Sequence, residues 1–143
     1  MMDCWINLDG KCLTEPLEGA YGFIYMIVDP EGKFYIGKKS FVHSTKKVLS
    51  KKARVASGTR KRIERGTKDS KWQDYYGSCK PLLEYMELIG KDKFKRVILK
   101  FCENRQSLAY WEIHYMVEYK VLFQESCWNG NVGGKYYRGR IHD

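Results

Sequence analysis

The chain has 143 residues, 43% of them hydrophobic and 15% aromatic, which is enough for the core of one domain and argues against a disordered chain. Its net charge of +9 at pH 7 indicates a polyanionic partner, most often nucleic acid, although a basic surface kept only for solubility is an alternative. No apolar run approaches the roughly 18 residues that a bilayer requires, and residues 1–13 fit neither a signal peptide nor an anchor. We therefore expect no membrane partner.

The N-terminal part of the chain predicts a short lead-in followed by a β-hairpin. Residues 1–20 form the lead-in, in which a small strand around Trp5 is expected. Two segments rich in β-branched and aromatic residues follow, Phe23 to Val28 and Lys33 to Gly37. The residues between them, Asp29-Pro30-Glu31-Gly32, are typical of a turn, so the two segments are predicted to pair.

A strongly basic stretch follows the hairpin, and residues 42–70 are predicted to form a basic arm. Between Lys46 and Lys68 the only acid is Glu64, against ten basic residues: Lys46, Lys47, Lys51, Lys52, Arg54, Arg60, Lys61, Arg62, Arg65 and Lys68. The stretch has few apolar residues and cannot bury much surface. We expect an exposed loop or arm that has room for a short helix. The arm as a whole is expected to become ordered on binding.

The remaining chain predicts two helices with a strand between them. The first helix is expected from about Pro81 to Ile89 with Ser78 as its N-cap, the strand from Phe94 to Cys102, and the second helix from Arg105 to Phe123. Residues 124–143 read as a basic, loop-like tail. The predicted fold is a single α/β (α+β) domain, residues 1–143, with a three-stranded, mainly antiparallel sheet flanked by helices and the arm inserted after the second strand.

The five cysteines do not predict a metal site. Their number is odd, their spacing is irregular and no CxxC pair occurs: the positions are Cys4, Cys12, Cys79, Cys102 and Cys127. Free thiols in a reducing compartment fit this pattern best, so a cytoplasmic location is expected, that of a host cell if a phage encodes the chain.

Glu112 is the most informative single residue. On the predicted second helix it shares a face with Leu108, Tyr115, Met116 and Tyr119, so a carboxylate lies within an apolar and aromatic stripe. A buried, unpaired carboxylate costs several kcal/mol, so Glu112 needs a partner. A buried ion pair with Lys or Arg and a functional metal site are both open interpretations.

Two tyrosines in the hairpin provide a second signal. Tyr25 and Tyr35 each lie in a predicted strand, where cross-strand packing is the simpler interpretation. Gly37 after Tyr35 implies a close approach of backbone or the end of the strand, and Lys38 follows at once.

Taken together, these segments resemble the GIY-YIG nuclease family. The resemblance extends from about Tyr21 to Asn129: Phe23-Ile24-Tyr25, Tyr35-Ile36-Gly37-Lys38, a basic stretch, a helix with a glutamate, and Trp128-Asn129. The second triad matches in full, whereas Phe23 stands where the family usually has glycine, and the nine residues between the triads are slightly fewer than usual. YIGKKSF, WQDYYGS and GKYYR resemble small phage-encoded members.

The resemblance implies roles for five residues. Tyr25 corresponds to the tyrosine proposed as general base, and Tyr35 to the tyrosine that positions water or phosphate. Lys38 corresponds to a basic residue after the second triad. Glu112 corresponds to the glutamate that binds one divalent metal, Mg²⁺ or Mn²⁺, and Asn129 to a late asparagine that supports the site.

The family also uses an arginine soon after the second triad, and here the usual spacing falls on Thr45 or Lys46. Arg54 is the preferred substitute, with Arg60 and Lys46 as alternatives. His43 is a further site candidate, because some relatives have histidine there.

The resemblance implies a Mg²⁺-dependent DNA endonuclease with a tyrosine base. A phenol of pKa near 10 is a poor base at pH 7 unless its phenolate is stabilised, and Lys38 with a nearby arginine is expected to do this. We expect the DNA phosphates to contact nine residues: Lys39, Lys46, Lys47, Lys51, Lys52, Arg54, Arg60, Lys61 and Arg62.

Two other functions remain open at this stage. The first is a catalytically silent DNA- or RNA-binding module of the same fold, and the second is a basic RNA- or ribosome-associated protein, although the latter gives no reason for Glu112. The sequence does not determine the oligomeric state. A homodimer would be needed for concerted cleavage of both strands.

Overall fold

A computed structural model describes residues 3–143 and shows an α+β fold built on one main sheet. Strands and helices are labelled in chain order: β1 Trp5–Ile6, β2 Gly22–Val28, β3 Phe34–Ser40, β4 Val42–Val48, α1 Lys51–Ser57, β5 Ile63–Asp69, α2 Lys80–Ile89, β6 Lys95–Cys102, α3 Arg105–Glu118, β7 Asn131–Val132 and β8 Tyr136–Tyr137. Short 3₁₀ turns occupy Trp72–Asp74, Lys91–Lys93 and Val121–Phe123.

The main sheet has the strand order β1-β6-β2-β3. β2 pairs antiparallel with both β3 and β6, and β1 pairs parallel with β6. The prediction of a mainly antiparallel sheet between helices is confirmed, and the lead-in adds a short fourth strand to the three that were predicted. β3 is an edge strand of this sheet, so one side of its backbone has no partner within the sheet.

The sheet separates two apolar clusters, because alternate residues of each strand point to opposite faces. One face of β2 buries Phe23 and Ile27 against Trp5, Trp72 and α2. The other buries Ile24 against Ile36 of β3 and α3. The two helices thus cover opposite faces of the hairpin.

The predicted boundaries of the helices need two corrections. α2 begins at Lys80 with Cys79 as its N-cap residue, so Ser78 is not the cap. α3 ends at Glu118 rather than Phe123, because Lys120 takes a left-handed conformation (φ 50°) that directs Val121 into the core.

The basic arm, residues 42–69, is more regular than the sequence predicts. β4 and β5 pair antiparallel from Val42↔Asp69 to Val48↔Ile63, and α1 lies between them at the tip. The arm is therefore a two-stranded ribbon with a short helix.

Two of the cysteines predicted to be free are joined. Cys4 and Cys12 form a disulfide, with their Cα atoms 5.8 Å apart. The bridge between Ile6 and Cys12 brings these two parts of the lead-in together. The expectation of a free thiol is wrong for this pair. Cys79, Cys102 and Cys127 are free thiols.

The tail is attached to the body through Arg138. Its guanidinium donates hydrogen bonds to backbone carbonyls of Val121, Gln124, Cys127 and Asn129. These bonds hold the tail, including the short β7–β8 ribbon, beside the turn that follows α3. None of the helices within residues 3–143 has the length and apolar character that a membrane crossing needs.

Candidate active site

A hollow of about 290 Å³ lies beside the edge strand β3, and we call it the basic hollow. Four of its eight lining residues are basic or can become so, and none is acidic. The lining residues are Tyr21, Lys38, Lys39, Ser40, His43, Tyr75, Arg105 and Leu108. A hollow with this lining favours an anion of the size of a phosphate group.

Tyr25 lies beneath the edge of the sheet and is almost completely buried, with 1% of its surface exposed. It pairs with Gly37 of β3, and its hydroxyl packs on that glycine. A Cβ atom at position 37 would lie 2.5 Å from Cζ of Tyr25, which is closer than real Cβ contacts. The glycine of the second triad therefore makes room for the tyrosine of the first.

The surroundings of Tyr25 act against its predicted role as a general base. Burial raises the pKa of Tyr25 well above its ordinary value, and Tyr75, Tyr35 and the Glu112 carboxylate raise it further. The expectation that neighbouring cations lower this pKa is wrong for the protein alone, because burial, the phenols of Tyr75 and Tyr35 and the Glu112 carboxylate all raise it.

Tyr35 lies next to Tyr25, with ring centroids 6.2 Å apart, and is only partly buried. Its hydroxyl is 3.4 Å from Oγ of Ser78, the residue that was predicted to cap α2. Burial raises the pKa of Tyr35, although the Ser78 hydrogen bond partly opposes this. Both tyrosines are close enough to Glu112 for its charge to raise their pKa values.

Glu112 is oriented toward the hairpin. Its Oε1 lies 3.8 Å from Nζ of Lys38, and its side chain is 16% exposed against 44% for Lys38. Burial raises the pKa of the Glu112 carboxyl, and Lys38 partly offsets the effect. Since 3.8 Å is well beyond a charge-assisted hydrogen bond of about 2.8 Å, this carboxylate keeps lone pairs for another cation.

Asn129 supports β3 at its free edge. Its Oδ1 accepts a hydrogen bond from the Ile36 amide and its Nδ2 donates to the Ile36 carbonyl, both at 2.9 Å, and the side chain is buried. Cys127 also donates to Oδ1. Asn129 thus continues the hydrogen bonding of the sheet at the residue between Tyr35 and Gly37, and acts on the site through backbone position.

Tyr75 faces the basic hollow and is held there by a buried cation. Arg96, which is 3% exposed, donates to the carbonyls of Gln73 and Tyr75 at 2.9 and 2.8 Å. Lys39 lies 4.2 Å from the centroid of the Tyr75 ring, and burial lowers the pKa of Lys39. The segment after β5 therefore supplies a phenol to the hollow and an ammonium group lies over its ring.

The structure does not bring every predicted site residue to one place. Lys38 and His43 line the basic hollow, whereas Arg54 is on α1 in the arm and lines a different hollow together with Lys51 and Arg60. The other predicted DNA contacts of the arm, namely Lys46, Lys47, Lys52, Lys61 and Arg62, are exposed. Arg54 is thus separated from Lys38 and Glu112.

Sequence reasoning did not identify Arg105 and Tyr75, which line the hollow, as site residues. Arg105 begins α3 and lies on the same helix face as Leu108 and Glu112, at i, i+3 and i+7. That spacing was available in the sequence and could have identified an arginine beside the glutamate. Tyr75 follows Trp72 in a segment without periodicity, so no sequence pattern predicts where its side chain lies. Its position depends on the hydrogen bond from Arg96, a residue 21 positions away in the chain.

A divalent cation would find one protein carboxylate at this site. Glu112 keeps lone pairs that Lys38 does not use, and the described residues contain no group of three His, Cys, Asp or Glu side chains that could hold a metal. The residues therefore fit a site with a single protein ligand, which phosphate and water complete.

Comparison with known proteins identifies the family. A family model described as "Putative endonuclease segE, GIY-YIG domain" matches residues 5–141. No curated protein and no solved structure matches the chain. The match covers both triads, the arm, Glu112 and Asn129, and the chain therefore belongs to the GIY-YIG nuclease family.

Proposed function

We propose that the chain is a divalent-metal-dependent DNA endonuclease that hydrolyses phosphodiester bonds at the basic hollow. The observation that carries the proposal is the position of Glu112. Its carboxylate lies 3.8 Å from Lys38, a residue that lines the hollow, and acts electrostatically on both triad tyrosines. Family membership supports a nuclease, for which DNA is the expected substrate.

The scissile phosphate would lie in the hollow among Lys38, Lys39 and Arg105. These cations neutralise a group that gains negative charge as the nucleophile attacks, and such preorganised charges account for much of the catalysis of phosphate transfer. Arg105 takes the place for which Arg54 was suggested, since it is the arginine that lines the hollow.

Glu112 would hold Mg²⁺ or Mn²⁺. When bound, such an ion supplies Lewis acidity toward the phosphate and the leaving oxygen. Before binding, Lys38 compensates part of the buried charge of Glu112. Because one carboxylate is a sparse ligand set, we expect metal binding to be weak in the absence of DNA.

A phenolate of Tyr25 or Tyr75, formed by loss of the phenol proton to solvent, would accept the proton of the attacking water. Tyr75 faces the hollow, while Tyr25 behind it is 1% exposed, with the two ring centroids 6.0 Å apart. Tyr25 is a weak acid in the protein alone, partly because of Glu112. Burial is the largest cause of the raised pKa and Glu112 the smallest, so compensation of that carboxylate would remove one contribution, and the phosphate-binding cations would have to supply the rest of the stabilisation of a phenolate.

The role of Glu112 is tested on supercoiled plasmid DNA with Mg²⁺ or Mn²⁺. Glu112→Ala is expected to abolish nicking, as is EDTA, whereas Glu118→Ala, a matched change at an exposed position of α3, is expected to retain it. Nicking by Glu112→Ala at the wild-type rate would contradict the proposed site.

The phenols are tested by removing single hydroxyls. Tyr25→Phe and Tyr75→Phe are each expected to lower the nicking rate by about a hundredfold or more, the usual effect of a lost general base. Tyr110→Phe is the control, because Tyr110 is 64% exposed and outside the hollow. Wild-type activity in Tyr25→Phe would exclude a phenolate at that position.

A binding module without catalysis is the second candidate, and the raised pKa of Tyr25 favours it. A phenol that stays neutral in every complex would leave only the cationic surface. Retarded migration of DNA without cleavage under Mg²⁺, Mn²⁺ or other divalent ions would support this candidate over the nuclease.

A further inference from the structure

The ribbon of the arm stands free of the rest of the molecule. None of the seven residues of β4 or the seven of β5 is buried, so both faces of the ribbon are open. A two-stranded ribbon is marginally stable in water by itself. An open ribbon of this length therefore presents two surfaces on which another molecule can lie.

The two faces of the ribbon differ in chemistry. Residues opposite each other in an antiparallel pair point to the same face, and alternate pairs share that face. Ser44 is opposite Thr67, and Lys46 is opposite Arg65, so these four side chains lie on one face, which we call the Ser44 face. The same face carries Val42↔Asp69 at the root of the ribbon and Val48↔Ile63 near its tip. The other face carries His43↔Lys68, Thr45↔Gly66 and Lys47↔Glu64.

The outer half of the Ser44 face carries a pair of like charges that an anionic partner would stabilise. Lys46 and Arg65 are like charges directly opposite each other, which destabilises a ribbon by itself. On the other face Lys47 is opposite the acid Glu64. Beside the cationic pair, Ser44 and Thr67 offer hydroxyls that can donate to or accept from base edges, and a methyl group that can contact thymine.

The dimensions of the ribbon match one groove of duplex DNA. The major groove is about 12 Å wide and admits a two-stranded ribbon, whereas the minor groove is about 6 Å wide. Seven residues per strand at about 3.4 Å each extend about 24 Å, which corresponds to about seven base pairs.

The root of the ribbon fixes it beside the basic hollow. The Phe41 amide donates to the Tyr21 carbonyl at 3.0 Å, the Ser70 amide donates to the Phe41 carbonyl at 3.1 Å, and Ser70 Oγ donates to the Ser40 carbonyl at 2.5 Å. His43, the second residue of β4, lies on the face opposite the Ser44 face and lines the hollow. The ribbon therefore begins at the place where the scissile phosphate is proposed to lie.

We propose that the arm lies in the major groove as a two-stranded ribbon, with the Ser44 face toward the base edges and contacts extending about seven base pairs to one side of the cut. The proposal rests on the proposed function, because it takes duplex DNA as the substrate. It adds that the enzyme recognises a duplex with an accessible major groove, and that recognition is asymmetric about the scissile phosphate.

The test measures binding of the full chain to linear duplex DNA in the presence of groove-directed competitors. Methyl green, which occupies the major groove, is expected to weaken binding, and netropsin, which occupies the minor groove, is expected to leave it unchanged. Displacement by netropsin with insensitivity to methyl green would overturn the proposal. Insensitivity to both would show contacts to phosphate alone and would also overturn it.

Two double variants with the same change in charge separate the faces. Lys46→Gln with Arg65→Gln alters the Ser44 face, and Lys47→Gln with Lys68→Gln alters the opposite face. Both lose the electrostatic contribution of two cations. We expect only the first to lose in addition about tenfold in affinity and the sensitivity to methyl green. Equal behaviour of the two variants would contradict the assignment of faces.

The same duplex is scored for cleavage in parallel, which separates this proposal from the nuclease proposal. Competition by methyl green without cleavage would contradict the nuclease and leave the position of the arm standing. Cleavage with no dependence on the Ser44 face would support the nuclease and contradict the position of the arm.

Discussion

At the scale of single residues, the residue type at several site positions is determined by the space that packing leaves there. Gly37 illustrates this, because its lack of a side chain is what lets the Tyr25 hydroxyl lie against β3. Phe23 is the reverse case: it replaces the usual first glycine, is fully buried and packs on Trp5 and Trp72. The close approach near that position is made instead by Gly22, where a Cβ would lie 2.9 Å from Cα of Ser40.

Gly37→Ala is expected to destabilise the protein by about 1–3 kcal/mol, because the added methyl group overlaps the buried Tyr25 ring. Denaturant unfolding measures this loss, and nicking of plasmid DNA should fall with it. Gly130→Ala is the control, since nothing lies within 4 Å of a Cβ there. Equal stability of the two variants would contradict the close approach of Tyr25 to β3.

Glu112→Gln is expected to raise the melting temperature at pH 7 while abolishing nicking. Burial raises the folded-state pKa of Glu112, so the wild-type carboxylate is destabilising above that pKa. As pH falls through the folded pKa toward the unfolded value of about 4.3, the wild type binds a proton more readily when folded and the destabilisation disappears.

Thermal unfolding of both proteins between pH 4 and pH 8 measures this difference. The advantage of Glu112→Gln should therefore be present at pH 7 and shrink as the solution is acidified. Glu118→Gln, at an exposed position of the same helix, should not reproduce this pH dependence. A constant difference between Glu112→Gln and the wild type at all pH values would contradict a raised pKa.

At the scale of elements, the site is assembled where β3 meets three segments that are distant in sequence. α3 supplies Glu112 and Arg105, the segment after β5 supplies Tyr75, and the segment before β7 supplies Asn129. The edge position of β3 makes this assembly possible, because an edge strand leaves one side free for hydrogen bonds other than those of the sheet. Asn129 uses that free side at Ile36.

Asn129→Ala is expected to destabilise the protein by about 2 kcal/mol or more, since it leaves the buried amide and carbonyl of Ile36 without partners. Nicking should fall because β3 carries Tyr35 and Lys38. Urea unfolding measures the stability, and Asn131→Ala, at an exposed position, serves as control and should change it by less than about 1 kcal/mol. A smaller loss in Asn129→Ala than in Asn131→Ala would contradict the supporting role.

At the scale of the whole molecule, the basic residues that give the net charge of +9 are unevenly distributed along the chain. Ten basic residues lie between Lys46 and Lys68, and the basic hollow adds Lys38, Lys39 and Arg105. Such a distribution attracts duplex DNA by counterion release, a contribution that carries little sequence information.

The affinity for duplex DNA is expected to fall with salt at a log-log slope of about −5, which corresponds to about six phosphate contacts. Fluorescence anisotropy at increasing salt concentrations measures the slope. Lys51→Gln with Lys52→Gln should make the slope less steep by about 2. Lys11→Gln with Lys93→Gln, which removes two exposed cations outside the arm and the hollow, should leave it unchanged, and an equal effect of both pairs would contradict a DNA contact through the arm.

The sequence by itself determined the hairpin, the two helices, the exposed arm and the family, because each depends on local composition, periodicity or a contiguous triad. It also placed Glu112 in an apolar stripe, since helix periodicity alone brings Leu108 and Met116 to its face. The boundaries of α2 and α3 were less predictable, because Ser78 contacts Tyr35 and Val121 is drawn into the core.

Only the tertiary structure decided which groups share the basic hollow. Tyr75 and Arg105 arrive there from distant segments, Arg54 does not, and Asn129 reaches Ile36 across 93 residues. The sign of the pKa change at Tyr25 was likewise decided by burial and by the neighbouring phenols of Tyr75 and Tyr35. The physical reason is that desolvation and charge act through distances in space, and the order of residues along the chain does not contain those distances.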